Sequence, residues 1–188
     1  MVDRRSGTKA KGTKRTSAPS AKEAPSVLGN PVHGWTILAH DLLLDQLGRL
    51  KNASEKEHRR GLGATGPATK LLGHVLDLVF DSVPRDPANP AYRHGGALGG
   101  GNREWFRAKT GNGRYRLFFR FHSKFRIIIF AWLNDEETLR THGSSTDAYA
   151  VFAEMLDSGN PPSSWEDLLR IANTQQNLAR LNDLGKSK

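Results

Sequence analysis

Apolar residues recur first at helical spacing along this chain, then alternate with period two, then return to helical spacing. In residues 35–51, Leu38, Leu42, Leu43, Leu47 and Leu50 predict a first helix. Residues 52–66 are polar and glycine-terminated and read as a loop. Pro67 suits the first turn of a second helix, with Leu71, Leu72, Val75, Leu76, Val79 and Phe80 as its apolar stripe. Pro84, Pro87 and Pro90 predict where it ends. Residues 91–95 read as a short strand, and the glycine-rich 95–101 as irregular.

Period two then takes over. Residues 104–109 and 114–122 flank Thr110-Gly111-Asn112-Gly113, a turn sequence, and predict a β-hairpin. Residues 125–133 follow, and Ile127 to Leu133 are apolar on both faces, as in a central strand. The acids Asp135-Glu136-Glu137 are placed to cap a returning helix. Asp147 is the expected N-cap for residues 148–156, and a last helix is expected over residues 165–181. The order predicts an α+β domain over residues 31–184. A helical hairpin would pack on a twisted antiparallel sheet, with further helices behind it.

Alternation also sorts the hairpin's side chains. Arg114, Arg116 and Arg120 share one face of the second strand, and Tyr115, Leu117, Phe119 and Phe121 the other. Arg107 and Lys109 share a face of the first strand. Charge sharpens this. Of the formal net +9, residues 93–126 contribute nine cations against the single acid Glu104, and residues 1–30 a further net +5. A cation-rich sheet face is suited to phosphate, so a nucleic acid is the leading partner class.

Composition narrows the rest. Residues 1–30 are basic and nearly free of apolar side chains, and read as a disordered tail; 185–188 read as a flexible end. The chain has no cysteine, which removes disulfides, thiolate metal sites and a Cys nucleophile. No apolar run approaches the ~20 residues of a membrane span. A soluble, cytoplasmic protein is expected, with no metal and no cofactor.

RNA can be cut without a metal. A base takes the 2′-hydroxyl proton, the alkoxide attacks the adjacent phosphorus, an acid protonates the leaving 5′-oxygen, and cations stabilise the phosphorane. Arg suits the last role, and a Lys or Tyr set among several Arg can become a proton carrier. His94 and His142 follow Arg93 and Arg140-Thr141 and are candidate acid–base groups. His33, His40, His58, His74 and His122 are read as structural. Trp35, Trp132 and Trp165 are read as packing residues, with Trp105 in doubt because it shares parity with Arg107 and Lys109.

Several motifs resemble the YhaV family, toxins of bacterial type II toxin–antitoxin systems. They are Arg93-His94-Gly95, the run from Gly113 to Arg120, Trp132-Leu133-Asn134-Asp135-Glu136 with Thr138-Leu139-Arg140, and Thr146-Asp147-Ala148-Tyr149. The segments from Pro67 to Leu72 and from Pro161 to Glu166 also match. The resemblance covers roughly residues 33–170. Through that family the chain is similar to the RelE superfamily, whose helical hairpin and antiparallel sheet match the fold expected above.

This resemblance implies an mRNA endoribonuclease, associated with the ribosome, that inhibits translation and growth. It also implies a neutralising AbrB-like (PrlF-type) antitoxin and a toxin–antitoxin complex that binds its own operon DNA. By position, Arg116 matches the arginine on the scissile phosphate, Arg140 a second catalytic arginine, and Tyr149 a tyrosine that stacks or transfers a proton. Arg107 stands where the RelE pattern has a lysine base, and an arginine is a poor base. Lys109 is retained and is left to stabilise charge or take over. Arg93, Arg103, Arg114, Arg120, Lys124 and Arg126 are expected to contact RNA backbone. The missing lysine keeps open a non-nuclease alternative: a ParE-like gyrase inhibitor or a ribosome binder.

Overall fold

The computed structural model describes residues 29, 31–138 and 147–186. The element order is β1 (Pro31–Val32), β2 (Trp35–Ala39), α1 (Asp41–Arg59), α2 (Pro67–Asp77), α3 (Val83–Arg85), β3 (Phe106–Thr110), β4 (Tyr115–His122) and β5 (Ile127–Leu133), then α4 (Ala148–Asp157), α5 (Trp165–Ala172) and α6 (Gln175–Gly185). The five strands form one mixed sheet in the order β1-β2-β5-β4-β3. The α+β class is as expected, but the sheet is not purely antiparallel, because β2 pairs with β5 in parallel.

That pairing corrects the start of the first helix. Residues 35–39 are strand β2, with Trp35, Ile37 and Ala39 in the core on one face of the sheet and Leu38 on the other. A five-residue run with Trp35, Ile37, Leu38 and Ala39 buried on its two faces, interrupted only by Thr36, suits a strand covered on both sides. Its partner β5 lies about ninety residues on in sequence, beyond the reach of local periodicity. The true helix start is marked by His40, whose Nδ1 accepts from the Leu42 N–H and caps α1.

The expected 52–66 loop is instead mostly the last two turns of α1. This polar end is held by tertiary bonds rather than by an apolar face. Glu57 accepts from the Ala68 and Thr69 backbone N–H groups, both at 2.9 Å, and so caps α2. Ser54 and Thr69 share a hydroxyl–hydroxyl bond beside it. At the other end α2 runs on through a π-helical turn, Leu78–Ser82, into α3. Pro84 sits in the last turn of this rod, which stops at Arg85, within the proline stretch expected to end it. Its ring would clash with the carbonyl four residues back, and widening to a π-turn relieves that. Residues 91–95 form no strand: Pro90–Tyr92 is a 3₁₀ turn, capped by the Asn89 side chain.

The hairpin is as expected. Gly111, Asn112 and Gly113 all have positive φ (57°, 55° and 79°), the conformation that this Gly-Asn-Gly sequence tolerates. β4 and β5 are paired with one irregularity. Phe118 lies opposite Trp132 but Phe119 lies opposite Phe130, leaving Ala131 as an extra residue in β5. The bulge puts Ala131 and Trp132 on the same face and returns Leu133 to the other.

Helices cover both faces of the sheet. One face, with Phe106, Tyr115, Leu117, Phe119, Ile128 and Phe130, packs on α1, α2 and the Leu181 and Leu184 end of α6. The other, with Phe118, Ile127, Ile129, Ala131 and Trp132, packs on α4 and α5. The single last helix expected over 165–181 is two, broken at Asn173, with Thr174 capping α6 through the Asn177 N–H. Among the described residues, no helix is long and apolar enough to cross a membrane.

Candidate active site

Strand parity places the cations where alternation predicts. In the hairpin register Lys109 lies opposite Arg116, and Arg107 opposite Phe118. All four share the face that α4 covers. The cation row is therefore not a uniform open platform: the first turn of α4 brings Tyr149 down onto Arg116 and Arg107, while Lys109 stays exposed. Asp147 caps α4 by accepting from the Tyr149 N–H at 2.9 Å, which fixes the entry of that turn.

The result is a compact corner of four side chains. Arg107 Nε donates to the Tyr149 hydroxyl at 2.9 Å, and Arg107 Nη1 donates to the Ala91 carbonyl. The Arg116 guanidinium lies 5.5 Å from the Tyr149 ring centroid. Tyr149 also meets Phe118 edge-on at 5.8 Å, while Phe118, Trp132 and Phe152 stack beneath it. The Tyr149 ring is 6% exposed, so it is enclosed by protein and offers little face for a nucleobase. Its hydroxyl is the chemically useful end.

Arg116 is also only 6% exposed, yet it has no carboxylate partner among the described residues. Its Nη1 donates to the Arg114 carbonyl at 3.2 Å, and its Nε is buried without a hydrogen-bond partner. A buried cation left uncompensated is costly, and an anion arriving at it is strongly favoured. Lys109 beside it is exposed and makes no hydrogen bond or ion pair among the described residues. The pair forms a half-finished phosphate clamp: one arginine fixed in the wall and one lysine free above it.

His94 borders this corner. Its Nε2 is 3.2 Å from the Asn102 carbonyl, and its Nδ1 is buried without a partner. Burial pushes its pKa below 6.5, and the charges of Arg107 and Arg93 push the same way. With Arg93, Gly95, Gly96 and Arg103 it lines an open depression of about 350 Å³. Arg140 and His142 lie outside the described residues.

The other sequence-predicted cations disperse. Arg114 turns to Glu136 at 2.8 Å, on the side of the sheet where Tyr115 also donates to Glu136. That carboxylate and burial, the larger effect, push the Tyr115 pKa up to about 12. Arg120 is taken up in packing. Its side chain is 12% exposed, its guanidinium lies between Trp105 and Trp165 at 5.5 and 5.6 Å, and it donates to the Ser163 carbonyl. It ties β4 to the start of α5 and faces no solvent groove. Trp105 is fully buried against Phe152, which settles its role as packing. Lys124 and Arg126 sit beyond the far end of β4, and Arg126 packs over Trp35. Six strand residues separate that end from Arg116, roughly 20 Å at ~3.3 Å each.

Two polar residues of this corner were not singled out by sequence reasoning. Gln46 projects from α1 to bond both the N–H and the carbonyl of Leu133, securing the end of β5. Asn134, fully buried, accepts from the Arg116 backbone N–H. The available signals for Asn134 were its place directly after a seven-residue apolar strand and within the Trp132 to Glu136 motif. The Asp135-Glu136-Glu137 run caps no helix within the described residues. Asp135 instead folds a turn by accepting from Glu137 N, Thr138 N and the Thr138 hydroxyl. Among the described residues no group of three or more His, Asp or Glu gathers as metal ligands.

Residues 37–173 match the sequence model of the YhaV toxin family, described as toxins with endonuclease activity of toxin–antitoxin systems. The chain belongs to the YhaV toxin family. The match spans β2 to the end of α5, and so contains every residue of the corner just described. A ribonuclease toxin YhaV from Escherichia coli K12 is 44% identical over 147 residues, covering 74% of this chain and 92% of its own length. The toxins YhaV of Escherichia coli O157:H7 and O6:H1 are 44% identical as well, the latter over 145 residues covering 73% of this chain and 91% of its own. No solved structure gives a significant match. As a YhaV-family toxin the chain is an endonuclease of a toxin–antitoxin system, and the non-nuclease alternative falls away.

Proposed function

We propose that this YhaV-family toxin cleaves mRNA without a metal ion, by attack of the 2′-hydroxyl on its own phosphate. The observation that carries this reading is Arg116: a cation 6% exposed, with no carboxylate partner among the described residues, across the hairpin from the exposed Lys109 and against the Tyr149 ring. An arginine so placed supplies bidentate donors to a phosphate where charge builds in the transition state.

In this scheme Arg116 and Lys109 hold the scissile phosphate and stabilise the phosphorane. His142 accepts the 2′-hydroxyl proton, the 2′-oxygen bonds to phosphorus, and the bond from phosphorus to the 5′-oxygen breaks. Tyr149 gives its proton to that 5′-oxygen, and Arg107, already donating to the Tyr149 oxygen, stabilises the tyrosinate left behind. The products are a 2′,3′-cyclic phosphate and a 5′-hydroxyl. Arg140 adds a second cation. In the chain, Arg140 and His142 fall between Thr138 and Asp147, which both bond to residues of this corner. The open depression of Arg93, His94 and Arg103 extends the basic surface for the RNA strand. Ribosome association, a RelE-like ancestry of the fold, a PrlF-type antitoxin covering the basic corner, operon binding by the complex and a cytoplasmic site of action belong to the same proposal.

The test is a cell-free translation reaction with end-labelled mRNA, comparing wild type, Arg116→Ala and Tyr149→Ala, with and without ribosomes. A ribosome-free arm contains EDTA. Discrete cuts by wild type that survive EDTA and vanish in both variants support the scheme. Cuts that require Mg²⁺ in the ribosome-free arm overturn the metal-independent step. Full cleavage by Arg116→Ala overturns the site.

A further inference from the structure

We propose that Asn134 is a positioning residue for cleavage: it sets the main chain at Arg116 and never touches RNA. This rests on the assignment of Arg116 to the scissile phosphate. The side chain of Asn134 is 0% exposed, so contact with substrate is closed to it.

Apart from a long bond from Nδ2 to the Asp135 carbonyl at 3.5 Å, the bonds of Asn134 run to Arg114, Arg116 and Thr138. The Asn134 backbone N–H donates to the Arg116 carbonyl at 3.3 Å. Its Oδ1 accepts from the Arg116 backbone N–H. Its Nδ2 donates to the Arg114 carbonyl at 3.2 Å and to the Thr138 carbonyl at 3.1 Å. Arg116 is the second residue of β4, directly after the left-handed turn, where a strand would fray. β5 has ended at Leu133, so no ladder carbonyl is available to the Arg116 N–H. The Asn134 amide oxygen takes that place and closes a two-sided clamp around one residue.

The clamp matters because the guanidinium has few tethers of its own. Within the described residues only the Arg114 carbonyl and the Tyr149 ring engage it. Its position is therefore inherited from the main chain that Asn134 holds. Misplacing a reacting group by about 1 Å can cost on the order of 10²-fold in rate. The same amide also fixes Thr138, the last described residue before the segment that carries Arg140 and His142. Only a carboxamide does all of this. Alanine loses the acceptor and both donors; aspartate keeps the acceptor but turns a carboxylate towards two carbonyls.

The experiment is a double-mutant cycle read in single turnover with enzyme in excess, on wild type, Arg116→Ala, Asn134→Ala and the combination. Amide hydrogen exchange and thermal unfolding are followed on the same proteins. Asn134→Ala is expected to lower the cleavage rate 10- to 100-fold with RNA affinity within twofold, and to speed exchange of the Arg116 amide while those of Phe118 to Phe121 stay protected. In the Arg116→Ala background it should cost less than threefold, because the group it positions is gone. Asn134→Asp, which keeps the acceptor, should recover part of the Arg116 amide protection. Equal losses in both backgrounds, or a loss confined to affinity, overturn the proposal. If Asn134→Ala unfolds, the cycle is run with Asn134→Asp, and additive losses there overturn it equally. Undiminished cleavage by Arg116→Ala alone would instead sink the phosphate assignment on which it rests.

Discussion

Replacing Tyr149 by phenylalanine separates the two roles open to that residue. The ring is enclosed between Phe118, Arg116 and the Phe152 stack, and phenylalanine keeps all of those contacts. What it loses is one oxygen that accepts from Arg107 Nε at 2.9 Å. A hydrogen bond to a charged donor contributes about 1.5–3 kcal/mol. Arg107 is half-buried and keeps its bond to the Ala91 carbonyl, so water compensates part of the loss and the lower end applies, about 1.5 kcal/mol. For a domain of this size that lowers Tm by roughly 3–6 °C, at about 2–4 °C per kcal/mol. If the hydroxyl is the proton donor to the 5′-oxygen, cleavage falls far more steeply, on the order of 10²–10⁴-fold. The assay is single-turnover cleavage of a defined RNA, with a parallel substrate carrying a 5′-thio leaving group that needs no protonation. Tyr149→Phe should be severely impaired on the normal RNA and close to wild type on the thio substrate. Cleavage within tenfold of wild type on the normal RNA, or equal losses on both substrates, would refute the proton-transfer role and leave Tyr149 as a support for Arg116.

Lys109→Ala should weaken RNA binding and make it less salt-sensitive, shifting the slope of log affinity against log salt by roughly 0.7, the value for one phosphate left without its cation; an unchanged slope in fluorescence anisotropy would remove Lys109 from the phosphate clamp. Arg120→Met should leave RNA affinity unchanged while costing about 2 kcal/mol in urea unfolding, since the guanidinium between Trp105 and Trp165 is a packing element. Burial holds the His40 pKa below 6.5, outweighing the opposing charge of Asp41. The folded state thus binds fewer protons than the unfolded one there, and stability should fall as pH drops from about 6.5 through the lowered value. His40→Asn, which retains an N-cap acceptor, should flatten that fall in thermal melts taken between pH 7.5 and 5. Glu57→Ala should lower Tm and expose the Ala68 and Thr69 amides to rapid exchange, because Glu57 is the cap of α2.

The hairpin, β5 and the N-cap of α4 were legible because each is written in adjacent residues: a Gly-Asn-Gly turn, an aliphatic run, an aspartate before an apolar stripe. β2 was misread because Leu38 and Leu42 happen to fall four apart, while what makes residues 35–39 a strand is a distant partner. The polar end of α1 looked like a loop because Glu57 and Ser54 stabilise it through α2, not through an apolar stripe. The site was half legible. Parity correctly grouped Arg107, Lys109 and Arg116, and the family resemblance pointed to Tyr149. Alternation could not show that Tyr149 of α4 closes over Arg107 and Arg116, nor that Arg120 on the same face is consumed by two tryptophans. Asn134 stands in the Trp132 to Glu136 motif of the family resemblance but was given no role there; what singles it out is which carbonyls and amides surround it.

The extra residue at Ala131 makes the active corner depend on chain length as well as on residue identity. Side chains in β5 can be exchanged among aliphatics with modest effect, since both faces are apolar. Losing Ala131 would restore an unbroken ladder and leave Trp132 opposite Phe118 and Leu133 opposite Leu117, each on its present face. Gaining one residue before Trp132 would instead set Trp132 opposite Leu117 and bring the Trp-Leu-Asn run into the corner out of phase with Arg116, though every residue assigned to cleavage remained in the gene. A single in-frame codon insertion in β5 is therefore a route to a silent toxin that still reads as intact by its motifs. Activity across such variants should survive loss of Ala131 and fail on gain of one residue between Phe130 and Trp132, even where every residue proposed for cleavage is kept.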